Sequence, residues 1–230
     1  MTVFQTGWVL FALMIALTVF NARKKLPFLP LFSGRVWLQF HIWMGLLSAV
    51  VFFWHIGWRI PSGWFNWVFT ALYAAVMISG IIGLVWSRTI PKRLTARGGE
   101  IIWEQIPARR AAVRAEAESL ALKSVAEVKA ETVAQFYTDN LHDFFLGTPG
   151  VSRELLARLE NLKRVLNEQE RVVVDKLSSL VREKDDLDYH YAQQFRLKAW
   201  LFVHIPLTYS LLAFSVVHIV IVYAYSGGAQ

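Results

Sequence analysis

No cysteine occurs among the 230 residues. Disulfides, thiolate metal sites and iron–sulfur clusters are therefore excluded. Carboxylates are almost as restricted. All 17 acidic residues lie between Glu100 and Asp188, and the sequence on either side has none. A single soluble domain spreads both signs of charge over its surface, so this segregation divides the chain into apolar segments and one polar insertion. Helix breakers are also scarce where they matter. No proline or glycine occurs between Val151 and Pro206. No G-x-G-x-x-G fingerprint is present, which excludes a nicotinamide-binding fold in this chain.

The acid-free stretches are instead hydrophobic. Apolar residues make up 55% of the chain and charged residues 18%, with ten tryptophans, far from soluble average usage. The net charge of +7 sits largely in short basic flanks of apolar runs, where membrane topology places such residues. That accounts for the charge without nucleic acid.

Four apolar runs are expected to cross a membrane. The first, Val3–Phe20, is followed by Arg23, Lys24 and Lys25. A cleaved signal peptide has its bases before the apolar run, so an uncleaved helix is expected. Pro27, Pro30 and Gly34 break the chain, Arg35 follows, and the second run is Val36–Trp58. Arg59, Pro61 and Gly63 form a tight turn, with Trp58, Trp64 and Trp67 around it as interfacial residues. The third run, Trp64–Trp86, contains Gly80 and Gly83, which admit a neighbouring helix or ring close to the backbone. Arg88, Lys92, Arg93 and Arg97 come next, and the fourth run is Leu201–Tyr225. The distribution of bases places residues 21–35 and 88–198 in the cytoplasm and both termini outside. Helices two and four then run in the same direction.

The polar insertion reads as a long helical hairpin, a coiled-coil-like stalk. Pro107 opens an Ala- and Glu-rich helix-favouring arm reaching Phe145. Gly147-Thr148-Pro149-Gly150 breaks it. From Ser152, the spacing of Leu155, Leu156, Leu159, Leu162, Val165 and Leu166 predicts a second amphipathic arm. That arm continues through Asp188 and Tyr191 into helix four. Tyr137, Phe144 and Phe145 are candidates for a core at the hairpin tip. His142 and His190 read as solvent-side or packing residues, and Tyr189, Tyr191 and Phe195 as an aromatic belt.

Four of the six histidines fall inside apolar runs. His41 and His55 lie fourteen residues apart on helix two, and His204 and His218 fourteen apart on helix four. Fourteen helical steps fall about 40° short of four turns, so each pair shares one face, about 21 Å apart along the axis. An imidazole in hydrocarbon needs a partner. Neutral imidazoles are good iron ligands, and two axial histidines complete a haem's coordination. Between parallel helices His41 pairs with His204 near the cytoplasmic side, and His55 with His218 near the outer side. Arg35 and Lys198 each stand six residues before the inner histidine of their helix, at a matching depth. Without C-x-x-C-H, haem would be held non-covalently, as two haems b. Arg35, Arg196 and Lys198 are candidate partners for the propionates of the inner haem, and Arg59 for those of the outer one. Gly45, one turn after His41, clears space for a porphyrin, and Pro206 is placed to bend the helix near His204.

On these residues the chain resembles the di-haem cytochrome b family: two histidines fourteen apart on each of two helices, with a third helix between them. It is similar to the four-helix core of quinol–cytochrome c reductase cytochrome b, and the inferred outside N-terminus is similar to the nitrate-reductase gamma-subunit group. The stalk departs from the usual cytochrome b, and no quinone-site motif matches. The resemblance implies transmembrane one-electron transfer by a subunit of a respiratory redox complex in the cell inner membrane. Its expected partners are other subunits of that complex, with a periplasmic cytochrome and quinone as candidate carriers and a homodimer through the stalk as a candidate assembly.

The expected fold is thus an all-α membrane protein: helices one to three in residues 1–87, a cytoplasmic helical hairpin in 88–198, and helix four in 199–225. Two other readings fit the same residues. One is a metal or proton transporter using the intramembrane histidines, although no carboxylate lies in the apolar runs. The other is a membrane-anchored scaffold whose stalk captures partners without a cofactor.

Overall fold

The computed structural model describes residues 3–22, 33–98, 101–128, 130–147 and 152–226. The basic cluster Arg23–Lys25, the Pro27–Pro30 connection and the Thr148-Pro149-Gly150 break lie outside these residues. Every regular element among the described residues is helical. The order is α1 (Val3–Ala22), α2 (Gly34–Ile56), α3 (Trp64–Thr95), a short 3₁₀ turn (Trp103–Gln105), α4 (Ile106–Val128), α5 (Glu131–Phe136), a π turn (Tyr137–Leu141), α6 (His142–Leu146), α7 (Ser152–Lys163) and α8 (Glu168–Ser226). Three helices, α2, α3 and α8, are long and apolar enough to cross a membrane. The apolar part of α1, Val3–Val19, is shorter. Only 11% of each long apolar window is buried within the protein, so most of the hydrocarbon faces outward, as it does in a helix that meets lipid.

Contacts divide the chain into two units. The first comprises residues 1–89 and 197–230, the second residues 90–196. In the first, α1 packs along α2, and Leu10, Met14, Phe52, Tyr73 and Leu211 form the shared core. Phe52 stacks on Tyr73 at 4.0 Å, and Tyr73 Oη is 3.1 Å from Ser48 Oγ, so the buried hydroxyls satisfy each other. Ser33 caps the start of α2 by accepting from the Val36 N–H. Gly57 ends it in the left-handed region, with φ 60°, its N–H donating to the Phe53 and Trp54 carbonyls. Trp58 follows with φ 57°, a conformation that disfavours side chains with a Cβ. Its ring lies flat on Phe53, centroids 4.9 Å apart, and that contact offsets part of the backbone cost.

The insertion has its own core. Val113, Ala117 and Ala121 form a stripe of small residues on α4, and α8 contributes Val174, Leu177, Val181 and Leu187. Spacing of four places the α4 set on one helix face, and spacings of three and four do the same for Val174, Leu177 and Val181. The polar edge carries Arg110 paired with Asp188 and Lys176 paired with Glu116. Lys184 is 3% exposed, yet its ammonium is 2.6 Å from Asp188 and 4.1 Å from the Phe144 ring centre, so its charge is compensated. Tyr137, Phe144 and Phe145 join this core. Trp103 stacks on Tyr191 at 4.5 Å, and Tyr191 on Phe195, so these aromatics pack within the insertion. His190 is fully buried, and neither ring nitrogen has a hydrogen-bond partner among the described residues; His142 is half-buried beside Tyr137 and Asp143.

The insertion is not two uninterrupted arms. The first arm stops at Val128 and resumes as two short helices with a π turn between them. The second stops at Lys163, so Val165 is 78% exposed while Leu159 and Leu166 are buried. The reason for the restart is a capping box. Asn167 Oδ1 accepts the Glu170 N–H at 2.9 Å, and Glu170 Oε2 accepts the Asn167 N–H at 3.0 Å. From there α8 runs as one helix to Ser226, with Pro206 inside it.

Burial holds the Tyr137 phenol above its ordinary value, with a further contribution from the Glu118 carboxylate. The unfolded chain therefore ionises this group first, near pH 10, and stability contributed by the neutral phenol is lost as pH rises past that point. Thermal unfolding of the full chain between pH 9 and 11, followed by circular dichroism, is expected to fall less steeply in Tyr137→Phe than in the native protein.

Candidate functional site

The fold brings the four apolar-segment histidines together as two pairs. His55, one residue from the end of α2, faces His218 of α8, with ring centroids 6.5 Å apart and planes at 83°. His41, two turns into α2, lies near enough to His204 for their charges to interact. These pairings make α2 and α8 parallel. Helix α3 is antiparallel to α8: Phe65 stacks on Phe214, while Ser79 meets His204.

At the His55 level the surroundings are a cavity of about 440 Å³. Both histidines line it. Arg59, Ser62, Asn66 and Thr70 supply polar groups, and Trp8 of α1 lies opposite. His55 Nδ1 is 3.2 Å from the Val3 carbonyl oxygen and 3.2 Å from Thr6 Oγ1. Gly7 admits this ring: a Cβ there would lie 3.0 Å from His55 Cε1. His218 rests against Phe69, centroids 5.2 Å apart, and lies parallel to Phe65.

The spacing is that of an edge-to-face ring pair, and it is also close to what two imidazoles sharing one metal would show. Two imidazoles on opposite sides of one metal, with bonds of about 2 Å and ring centres about 1 Å beyond each nitrogen, have centroids about 6 Å apart. The observed 6.5 Å is that separation. Perpendicular planes are compatible with it, because each ring is free to rotate about its own metal bond.

At the other level His204 is held from two sides. Its Nδ1 is 2.5 Å from Ser79 Oγ, and the Trp200 indole stacks on its ring at 5.3 Å. The indole N–H donates to the Ser79 carbonyl at 2.7 Å. Gly83 makes this possible, since a Cβ there would fall well inside contact distance of the Trp200 ring. A Cβ on Gly80 would lie 3.8 Å from His204 Cε1. A side chain on Gly45 would meet no protein atom within 4 Å, so space is open beside α2 one turn past His41. Pro206 removes the N–H that would otherwise reach the Phe202 carbonyl, yet α8 continues, and Thr208 Oγ1 donates to the His204 carbonyl.

The basic residues divide. Arg59 lines the His55–His218 cavity. Arg35 is exposed in the first turn of α2, and Lys198 is exposed on α8, two turns before His204. Arg196 is exposed on α8 and belongs to the insertion. Thr6, Gly7, Ser79 and Trp200 complete the site without a sequence signal of their own, apart from the pair of glycines at 80 and 83.

Among the described residues no group of three or more His, Cys, Asp or Glu side chains converges on one point. Comparison with protein-family models, curated proteins and solved structures gives no match.

Gly83→Ala forces the Trp200 ring aside and breaks its bond to Ser79, at an expected cost of about 1–3 kcal/mol. Adding Trp200→Ala removes the clash, so a double-mutant cycle on thermal stability in detergent is expected to show the two changes costing less together than the sum of each alone.

Proposed function

We propose that this chain is a transmembrane electron carrier that holds two haems b, one between His55 and His218 and one between His41 and His204. The observation that carries this reading is the perpendicular His55–His218 pair, 6.5 Å between centroids, at the wall of a cavity of about 440 Å³. Cavities of this size are typical of small-molecule and cofactor sites.

Haem iron supplies one-electron chemistry, and the chain supplies everything around it. His41, His55, His204 and His218 would hold the iron. The outward-facing apolar helices and the rings of Phe65, Phe69 and Trp200 keep the imidazoles away from water. Arg59, at the cavity wall, is placed to pair with a propionate carboxylate, and Arg35, Lys198 and Arg196 serve the other level from the basic flanks. Four spans complete the bundle, with α1 as the fourth: its 17 apolar residues reach the lower end of what a span needs. The insertion lies in the cytoplasm in this reading, on the side of Arg88, Lys92, Arg93 and Arg97, and both termini lie outside. The chain acts as an electron-transfer subunit. Donors and acceptors are a quinol, a periplasmic cytochrome or another subunit, and the helical insertion docks the partner. A membrane-crossing electron moves through the membrane potential, so the two levels on one pair of helices suit an energy-conserving complex.

Single alanine substitutions test the assignment. His55→Ala or His218→Ala is expected to halve the haem bound per purified chain, and His41→Ala or His204→Ala to remove the other half. Unchanged haem content in all four variants would contradict it.

A further inference from the structure

The hydrogen bonds around two of the histidines determine which ring nitrogen carries the proton. His55 Nδ1 lies 3.2 Å from the Val3 carbonyl oxygen, a group that only accepts. It also lies 3.2 Å from Thr6 Oγ1, whose single hydrogen is directed to the same Val3 carbonyl at 2.9 Å. Both neighbours therefore present lone pairs, and the nitrogen between them carries hydrogen. At the other level Ser79 Oγ has one hydrogen and two neighbours, the Val76 carbonyl at 3.0 Å and His204 Nδ1 at 2.5 Å; given to the carbonyl, that hydrogen leaves a lone pair for an N–H on His204 Nδ1. Ser79 is itself held in place. It is 9% exposed, and its own carbonyl accepts the Trp200 indole N–H.

We infer that Ser79, and on α1 Val3 and Thr6, are positioning residues that keep His204 and His55 protonated on Nδ1 and thereby present Nε2 of each ring to the metal. The inference rests on the haem reading for the metal's identity, while the tautomers follow from the protein alone. It also gives α1 a role beyond spanning. Through the Val3 carbonyl and Thr6 it orients His55 of the antiparallel α2. Gly7 belongs to the same device, because only hydrogen leaves the His55 ring room beside α1.

An acceptor on the distal N–H makes an imidazole a more basic ligand, fixes its orientation and favours the oxidised, more positive iron. Loss of such a partner costs about 10- to 100-fold in affinity for the metal group. The two clamps differ. His55 has two acceptors, one of them main chain, whereas the Ser79 hydroxyl can be removed by substitution.

Two measurements on the full chain decide the matter. In haem-free protein labelled with ¹⁵N-histidine, long-range ¹H–¹⁵N correlation is expected to show His55 and His204 with the proton on Nδ1. Ser79→Ala is expected to move His204 toward the Nε2-protonated form, Ser79→Thr to restore it, and Thr6→Val to leave His55 unchanged, since the Val3 carbonyl remains. In haem-loaded protein, redox titration of Ser79→Ala is expected to show one midpoint potential raised and the other unmoved, with the shifted haem lost about tenfold more readily. A native His204 protonated on Nε2, or a Ser79→Ala variant with unchanged tautomer and potentials, overturns the inference. If the tautomers are as assigned but the chain takes up no haem, the positioning stands and the haem reading falls. If two haems bind and Ser79→Ala changes nothing, the reverse holds.

Discussion

An imidazole surrounded by hydrocarbon has to be bonded to something, because unsatisfied polar nitrogens there are costly. This chain meets that constraint four times, and much of its architecture is arranged around the answers. On each ring where the bond geometry is resolved, one nitrogen is committed to the protein: His55 to α1, His204 to Ser79. Glycines stand where these rings need clearance, at Gly7 and Gly83, and a side chain on either would push a histidine or its stacked tryptophan out of place.

Helix α8 connects the two halves of this organisation. Its C-terminal part carries His204 and His218, and its N-terminal part contributes Val174, Leu177, Val181 and Leu187 to the core of the insertion. No break separates these functions along 59 residues. The small residues of α4 and the bulky face of α8 share one core, and the buried Lys184 is neutralised within the same helix by Asp188.

The long apolar helices were legible because lipid-facing sequence is continuous and nearly free of charge. The histidine pairs were legible because two equal spacings on helices of one direction leave few alternatives, and the structure does bring His55 to His218 and His41 near His204. The restart of α8 at Glu168 was not read. The apolar spacing through Leu162, Val165 and Leu166 continued without a proline or glycine, and the Asn167–Glu170 capping box works by side-chain bonds that leave that periodicity intact. Of the expected aromatic belt, Tyr191 stacks on Trp103, while Phe195 beside it is largely exposed; composition alone does not separate an interfacial ring from a packed one. Ser79 and Thr6 lay outside any pattern, since a hydroxyl becomes a ligand's partner only through the contact of distant helices.

The central claim is that the two imidazole pairs each hold one haem. The most direct measurement is haem content of the purified, monodisperse full chain, with a reduced-minus-oxidised spectrum on the same sample. The account predicts two haems per chain with b-type absorption. A folded, monodisperse chain that remains without haem after expression and reconstitution in its presence would contradict it.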